Sequence, residues 1–330
     1  MLARWLRILT IVELIGAGAI AWRLAVGGLP VAGAVAIGLA TPLLVHGAII
    51  AFDFALAAWA GSPTPAPQRL GPAAATGLFL REWRDSVLVF QVIQPWLAPR
   101  PLPGELNPGR PGRTPVLLIH GFLCNRQLWR PLARWLNARG HPLAAVDLEP
   151  VLGSIDDYVP AIEAAVAALQ ARTGASAVAL VGHSMGGLAA RAYVRRHGGK
   201  HVSVMVSIGT PHHGTFHARL GHGHNARQMR PDSEWLRALA ADEAAQGPAS
   251  LPCTTVILSH HDNIVAPQSD QTLPYAQRTH ELAAIGHLSL AFDRTVWSLV
   301  GEALDTPRED PARIRSGSLA SAAGTQSDRH

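Results

Sequence analysis

Cysteine is nearly missing from this 330-residue chain: Cys124 and Cys253 are the only two, and they stand in no metal-ligand or redox spacing. That excludes a disulfide framework, and both read as ordinary thiols. Charge is scarce as well, at 15% against 48% hydrophobic residues, a balance too apolar for a chain bathed wholly in water. Lysine is absent except for Lys200, so the formal charge of +5 comes from scattered arginines and not from a dense basic run. Nucleic-acid binding needs a basic patch or stripe, and this pattern argues against it. There is no internal repeat.

What the chain does have is long apolar runs. Residues 8–26 and 31–52 are each close to the ~20 residues a helix needs to cross a bilayer, and Gly27-Gly28-Leu29-Pro30 makes a turn between them. The expectation is an N-terminal transmembrane helical hairpin over residues 1–60; no small-residue cleavage site marks a signal peptide. Glu13 and Arg23 interrupt the first run. Arg23 can reach the interface, whereas Glu13 needs a partner, for which His46 in the second run is the candidate. Arg4 and Arg7 precede the hairpin and Arg69, Arg81 and Arg84 follow it, against Arg23 alone near the turn. The positive-inside rule then puts both ends in the cytoplasm, which predicts the inner (cytoplasmic) membrane with the following domain facing the cytoplasm.

Residues 61–114 read as a Pro-rich linker holding an amphipathic segment, 77–97, that either lies on the membrane surface or docks on the domain. From 115 onward, short aliphatic runs alternate with amphipathic stretches, the signature of βαβ units. This predicts an α/β domain over 115–304 with a compact, mostly parallel sheet. Strands are expected at 116–119, 143–146, 178–181, 202–208, 255–258 and 281–285, and helices at 127–139, 155–172, 185–197 and 288–302. Residues 216–250 break the alternation and are the candidate lid. The tail, 305–330, is polar and rich in Ser, Ala and Gly, and is expected to be disordered.

Gly182-His183-Ser184-Met185-Gly186 fits the G-x-S-x-G nucleophile elbow, between an aliphatic run and a helical pattern as that motif requires. The turn is sharp, and Gly182 and Gly186 keep space clear around Ser184. A serine hydroxyl needs a base to take its proton, and the base needs a carboxylate to orient it. In the chain order Ser, acid, His, the candidates are Asp262 in His260-His261-Asp262-Asn263 and His287 in Ile285-Gly286-His287-Leu288, each just past an expected strand. Oxyanion donors are read as the backbone amides of Met185 and of Phe122, which follows His120-Gly121 after the first strand. His120 itself reads as loop packing. Pro42 to Gly47 mimics the strand-plus-His-Gly pattern but lies in the second apolar run. The adjacent His212 and His213 lack metal-ligand spacing and read as a turn bordering an acyl pocket; no metal and no cofactor are expected.

Together these blocks, LLIHGF, VGHSMGG, SIGTPHHGT, HDNIVAP and IGHLSL, resemble those of bacterial lipases and esterases of the α/β-hydrolase superfamily over residues 115–302. The resemblance implies an oxyanion loop, nucleophile, pocket turn, acid and base at those positions. It implies a carboxylic-ester hydrolase, here anchored in a membrane and acting on hydrophobic or lipid-like esters. A thioesterase or acyltransferase with the same triad is the alternative within that chemistry, and a non-enzymatic membrane scaffold is the alternative outside it.

Overall fold

The computed structural model describes residues 1–305; the tail expected to be disordered lies, from 306 on, outside the described residues. Two long helices open the chain, α1 (Leu2–Val26) and α2 (Val31–Ala60), packed side by side with mean hydropathies of 1.7 and 2.1 in their most apolar windows. By length and composition both are able to cross a membrane. They approach closely where Gly38 of α2 meets the backbone of Ala17, a position where a Cβ would collide with a carbonyl oxygen. Most of their large apolar side chains, Trp5, Leu9, Ile15, Trp22, Leu44 and Phe52 among them, face outward.

The expected linker segment is largely helical. α3 (Pro72–Val87), a π turn (Leu88–Ile93) and α4 (Gln94–Leu97) run on continuously and pack against the α/β domain as well as the hairpin. Residues 77–97 dock on the domain, and polar side chains take part: Glu82, Asp85, Ser86 and Gln94 are buried and hydrogen-bonded.

The domain is a six-stranded, wholly parallel sheet in the order β2-β1-β3-β4-β5-β6. The strands are β1 (Val116–Ile119), β2 (Leu143–Val146), β3 (Val178–His183), β4 (Val202–Ile208), β5 (Thr254–Ser259) and β6 (Arg278–Leu282). Both faces are covered, which is why the central strands read as unbroken apolar runs. Leu117, Ile119 and Leu180 point to one side, under α6 (Val159–Thr173) and α7 (Met185–His197). Val116, Leu118 and Val181 point to the other, under α5 (Arg130–Ala138) and α10 (Arg294–Asp305). Two further helices, α8 (His224–Gln228) and α9 (Glu234–Gln246), lie between β4 and β5.

One strand differs from expectation. β6 ends at Leu282, three residues before the predicted end, because the chain turns at Ala284, whose φ is 59°, and runs back toward β5. β6 is an edge strand, and its exposed sequence Arg-Thr-His-Glu-Leu lacks the apolar signal of the buried strands.

Candidate active site

The order of strands reverses between β1 and β3, and in an open parallel sheet the crevice beyond the carboxyl ends of such strands is where ligands bind. Ser184 sits there, directly after β3, with φ 54° and ψ −128°, a region that L residues seldom occupy. Glycines make the turn possible. A Cβ on Gly186 would run into the carbonyl oxygens of Ile119 and His120, and one on Gly121 would come within 2.8 Å of the Ser184 Cβ. Gly182 is similarly hemmed in by the backbone of Gly186 and Gly187. Gly121 and Phe122 on the loop after β1 line the cavity beside Ser184. Met185 opens α7, where amides of the first turn have no acceptor within the helix.

Asp262 follows β5 and His287 follows β6, and the two are joined by a 2.8 Å hydrogen bond from His287 Nδ1 to Asp262 Oδ2. The other carboxylate oxygen, Oδ1, accepts from the amides of Ile264 and Val265 at 2.8 and 2.7 Å. Both oxygens are therefore committed, and with Nδ1 donating, Nε2 is left as the basic atom of a neutral ring. The His287 amide donates to Asn263 Oδ1 at 2.9 Å. Burial alone pushes the His287 imidazolium down; the Asp262 carboxylate, with Glu82 and Asp53 behind it, more than reverses this and holds the ring above its ordinary value. His183, its ring centroid 4.7 Å away, goes the other way: burial and the charge of His287 push it down to about 3, so it stays neutral and its Nε2 donates to the His287 carbonyl at 3.0 Å.

Ser184 and His287 share one cavity of about 360 Å³, walled by parts of the chain that sequence reasoning did not bring to it. α2 supplies His46, Ile49, Ile50 and Asp53, and the α3 to π segment supplies Glu82, Ser86 and Phe90. Glu82 is fully buried and accepts from the amides of Leu288 and Ser289, at 2.8 and 2.9 Å, immediately after His287. Burial pushes its carboxyl up, and those two amides pull it partly back. No sequence signal marks Glu82, because its partners are over two hundred residues away. Cys124 lines the same cavity with its thiol pushed up to about 12 by burial, which keeps it in the protonated thiol form.

Three expectations are corrected here. The segment 216–250 contributes nothing to the cavity wall: α9 is drawn instead onto α7 by the buried pair Arg191–Glu243, 2.6 Å, and the cover over the site is α2. His46 does not pair with Glu13; it bonds Ser86 Oγ at 2.7 Å, while Glu13 accepts from Gln91 at 3.1 Å. His212 faces away from the cavity, with its Nε2 on Ser207 Oγ at 2.9 Å and its other nitrogen beside Arg191. Among the described residues no group of His, Cys, Asp and Glu is arranged to hold a metal ion. His120 bridges two loops, accepting from the Leu148 amide at 3.0 Å and donating to the Gly121 carbonyl at 2.9 Å.

A parallel sheet with a strained serine after its third strand, and an acid and a histidine after its last two, is an α/β-hydrolase fold. Residues 114–251 match the family model described as the α/β hydrolase fold. Among solved structures, the mature form of a Bacillus licheniformis lipase aligns with a TM-score of 0.53 at 16% identity, over 59% of this chain and 94% of that one. Aspergillus fumigatus lipase B aligns with a TM-score of 0.52 at 20% identity, over 64% of this chain and 57% of that one, so the chain spans little more than half of the fungal protein. No curated protein matches the chain in sequence.

Proposed function

We propose that this chain is a membrane-anchored serine hydrolase of carboxylic esters, with Ser184 as nucleophile, His287 as general base and Asp262 as the acid that orients it. The observation that carries the reading is that a serine at a strained elbow and a histidine bonded to a buried carboxylate line one apolar cavity. In the reaction, Ser184 Oγ attacks the ester carbonyl while His287 Nε2 takes its proton. The amides of Phe122 and Met185 receive the developing oxyanion. The tetrahedral intermediate collapses, the alcohol departs with the proton from His287, and an acyl group remains on Ser184. Water, deprotonated by the same imidazole, attacks that ester and frees the acid. A cavity wall of Ile49, Ile50, Phe90, Phe122 and Leu288 favours hydrophobic, lipid-like acyl groups. At about 360 Å³ the cavity is of the size of small-ligand pockets.

The anchoring half of the proposal rests on α1 and α2, and the arginine distribution favours the inner membrane with the domain on the cytoplasmic side. The test is p-nitrophenyl ester hydrolysis across acyl lengths by detergent-solubilised protein, together with fluorophosphonate labelling. Turnover and label should vanish together in Ser184→Ala. A folded wild-type protein that takes no label and turns over no ester refutes the proposal.

A further inference from the structure

The helical segment that docks the hairpin onto the domain is apolar on both faces. Its buried side carries Leu78, Val89 and Ile93 together with Glu82, Asp85, Ser86 and Gln94, and its outward side carries Leu80, Leu88, Val92 and Trp96, which are 51%, 37%, 49% and 46% exposed. These four share a spacing of four residues, completed by Arg84, and the π turn carries the same face onward. Four large apolar side chains in one row on the outside of a helix, above buried acids, is the arrangement of a surface whose solvent is lipid.

The geometry of the hairpin says which lipid surface. α1 and α2 are braced by this same segment, through Gln91 to Glu13, through Trp83 Nε1 to the Leu43 carbonyl at 3.1 Å, and through Ser86 to His46. Beyond those braces only residues 14–26 and 31–42 project freely, about 20 Å at ~1.5 Å per residue, short of the ~30 Å hydrocarbon layer. The missing depth lies at the base of the hairpin, where Leu9 of α1 and Val45 and Phe52 of α2 are also exposed. Of the tryptophans exposed on these helices, side chains that favour the membrane interface, Trp5 of α1, Trp59 of α2 and Trp96 of α4 stand at the ends nearest the domain, and Trp22 stands beside the turn of the hairpin. Ile49 and Leu123 both line the cavity and are 54% and 41% exposed, which places them at its mouth, with Ile49 on the outward side of α2.

We propose that the exposed row Leu80, Leu88, Val92 and Trp96 is seated in the interfacial layer of the bilayer that holds the hairpin, so that the cavity takes its ester laterally from the membrane, at the depth of lipid ester groups. This rests on the hydrolase reading above. The substrate class is a membrane-resident acyl ester, and the row acts by setting the depth of the mouth without touching the reacting atoms.

The test uses the full chain in phosphatidylcholine liposomes carrying a long-chain 4-methylumbelliferyl ester, with 4-methylumbelliferyl acetate as the water-soluble comparison. The variant Leu80→Gln/Leu88→Gln/Val92→Thr/Trp96→Gln changes only exposed positions, where substitution costs little stability. It should lose tenfold or more on the liposomal ester while acetate turnover stays within twofold. Unchanged liposomal turnover, or a parallel loss on both esters, overturns the proposal. A readout independent of turnover is quenching by brominated phosphatidylcholine: the wild type should show a quenched component that Trp96→Phe removes. Quenching in a protein inactive on every ester would support the surface while sinking the hydrolase reading; absence of that component, with the row buried in a dimer of the chain, would replace the bilayer by a second copy.

Discussion

Replacing Glu82 by Gln separates the clamp on the catalytic loop from the stability of the fold. The carboxylate accepts one amide on each oxygen, from Leu288 and Ser289, and glutamine keeps one acceptor while turning an NH₂ toward the second amide. A hydrogen bond to a charged group is worth about 1.5–3 kcal/mol. The substitution also removes a carboxylate that burial holds above its ordinary pKa, and the relieved desolvation offsets much of that loss. The melting temperature should therefore move by only a few degrees. Catalysis has no such compensation. Glu82 is one of the carboxylates that raise His287, so without it the imidazolium is less favoured and the pKa of the free enzyme's base falls. The sign follows: the neutral base persists to lower pH, and the acid limb of kcat/KM moves acidward. The transition state, which contains the imidazolium, loses that charge's support, so kcat falls, by about tenfold for each ~1.4 kcal/mol of electrostatic support removed. Glu82 is a positioning residue, and the pH profile is the readout that mere packing would not move. The assay is ester hydrolysis from pH 5 to 9 with thermal unfolding in parallel. An acid limb unmoved in a stable Glu82→Gln protein would mean that Glu82 is protonated in the working enzyme, and would refute the electrostatic argument.

Ile50→Trp fills the inner part of the cavity from α2, so KM for long-chain esters should rise tenfold or more while acetate ester turnover is retained; a uniform loss would show that Ile50 does not line the acyl site. Arg191→Met leaves Glu243 buried with only Tyr275 as a polar partner, which should cost about 3–5 kcal/mol in denaturant unfolding, and Arg191→Met/Glu243→Leu should recover most of it.

The elbow was legible because its chemistry is local: small residues two before and two after Ser184, an aliphatic strand before and a helix after, all within twenty residues. The parallel sheet was legible because two covered faces force continuous apolar runs, and the only strand displaced, β6, is the edge strand whose polar sequence carries no such run. What escaped was contact over long sequence distances. Nothing in residues 77–97 says that Glu82 meets Leu288, and a run of apolar residues such as 31–52 looks the same whether it faces lipid alone or also roofs a cavity. The lid expected at 216–250 failed for a related reason. An interruption of the βα alternation marks an insertion without saying which side it packs on, and here Arg191 and Glu243 bind it to α7.

The polarity of the docking segment joins these findings. Four polar side chains buried on one helical segment would be costly without partners, and these four reach three different parts of the molecule. Glu82 and Asp85 reach the loop that carries His287, through Leu288 and the two donors of Ser289. Ser86 reaches His46 of α2, and Gln94 accepts the Asn125 amide on its side-chain Oε1 and the Asn125 side-chain N–H on its backbone carbonyl, on the loop that follows Phe122. One segment thus grips the loop after His287, the loop after Phe122 and the helix α2 beside the cavity. Its inner face buries Leu78, Val89 and Ile93 beside those polar groups, and its outer face keeps Leu80, Leu88, Val92 and Trp96, the row proposed above to meet the bilayer. On the proposed reading, the segment that meets the bilayer is thus also the one whose Glu82 and Asp85 hold the loop after His287.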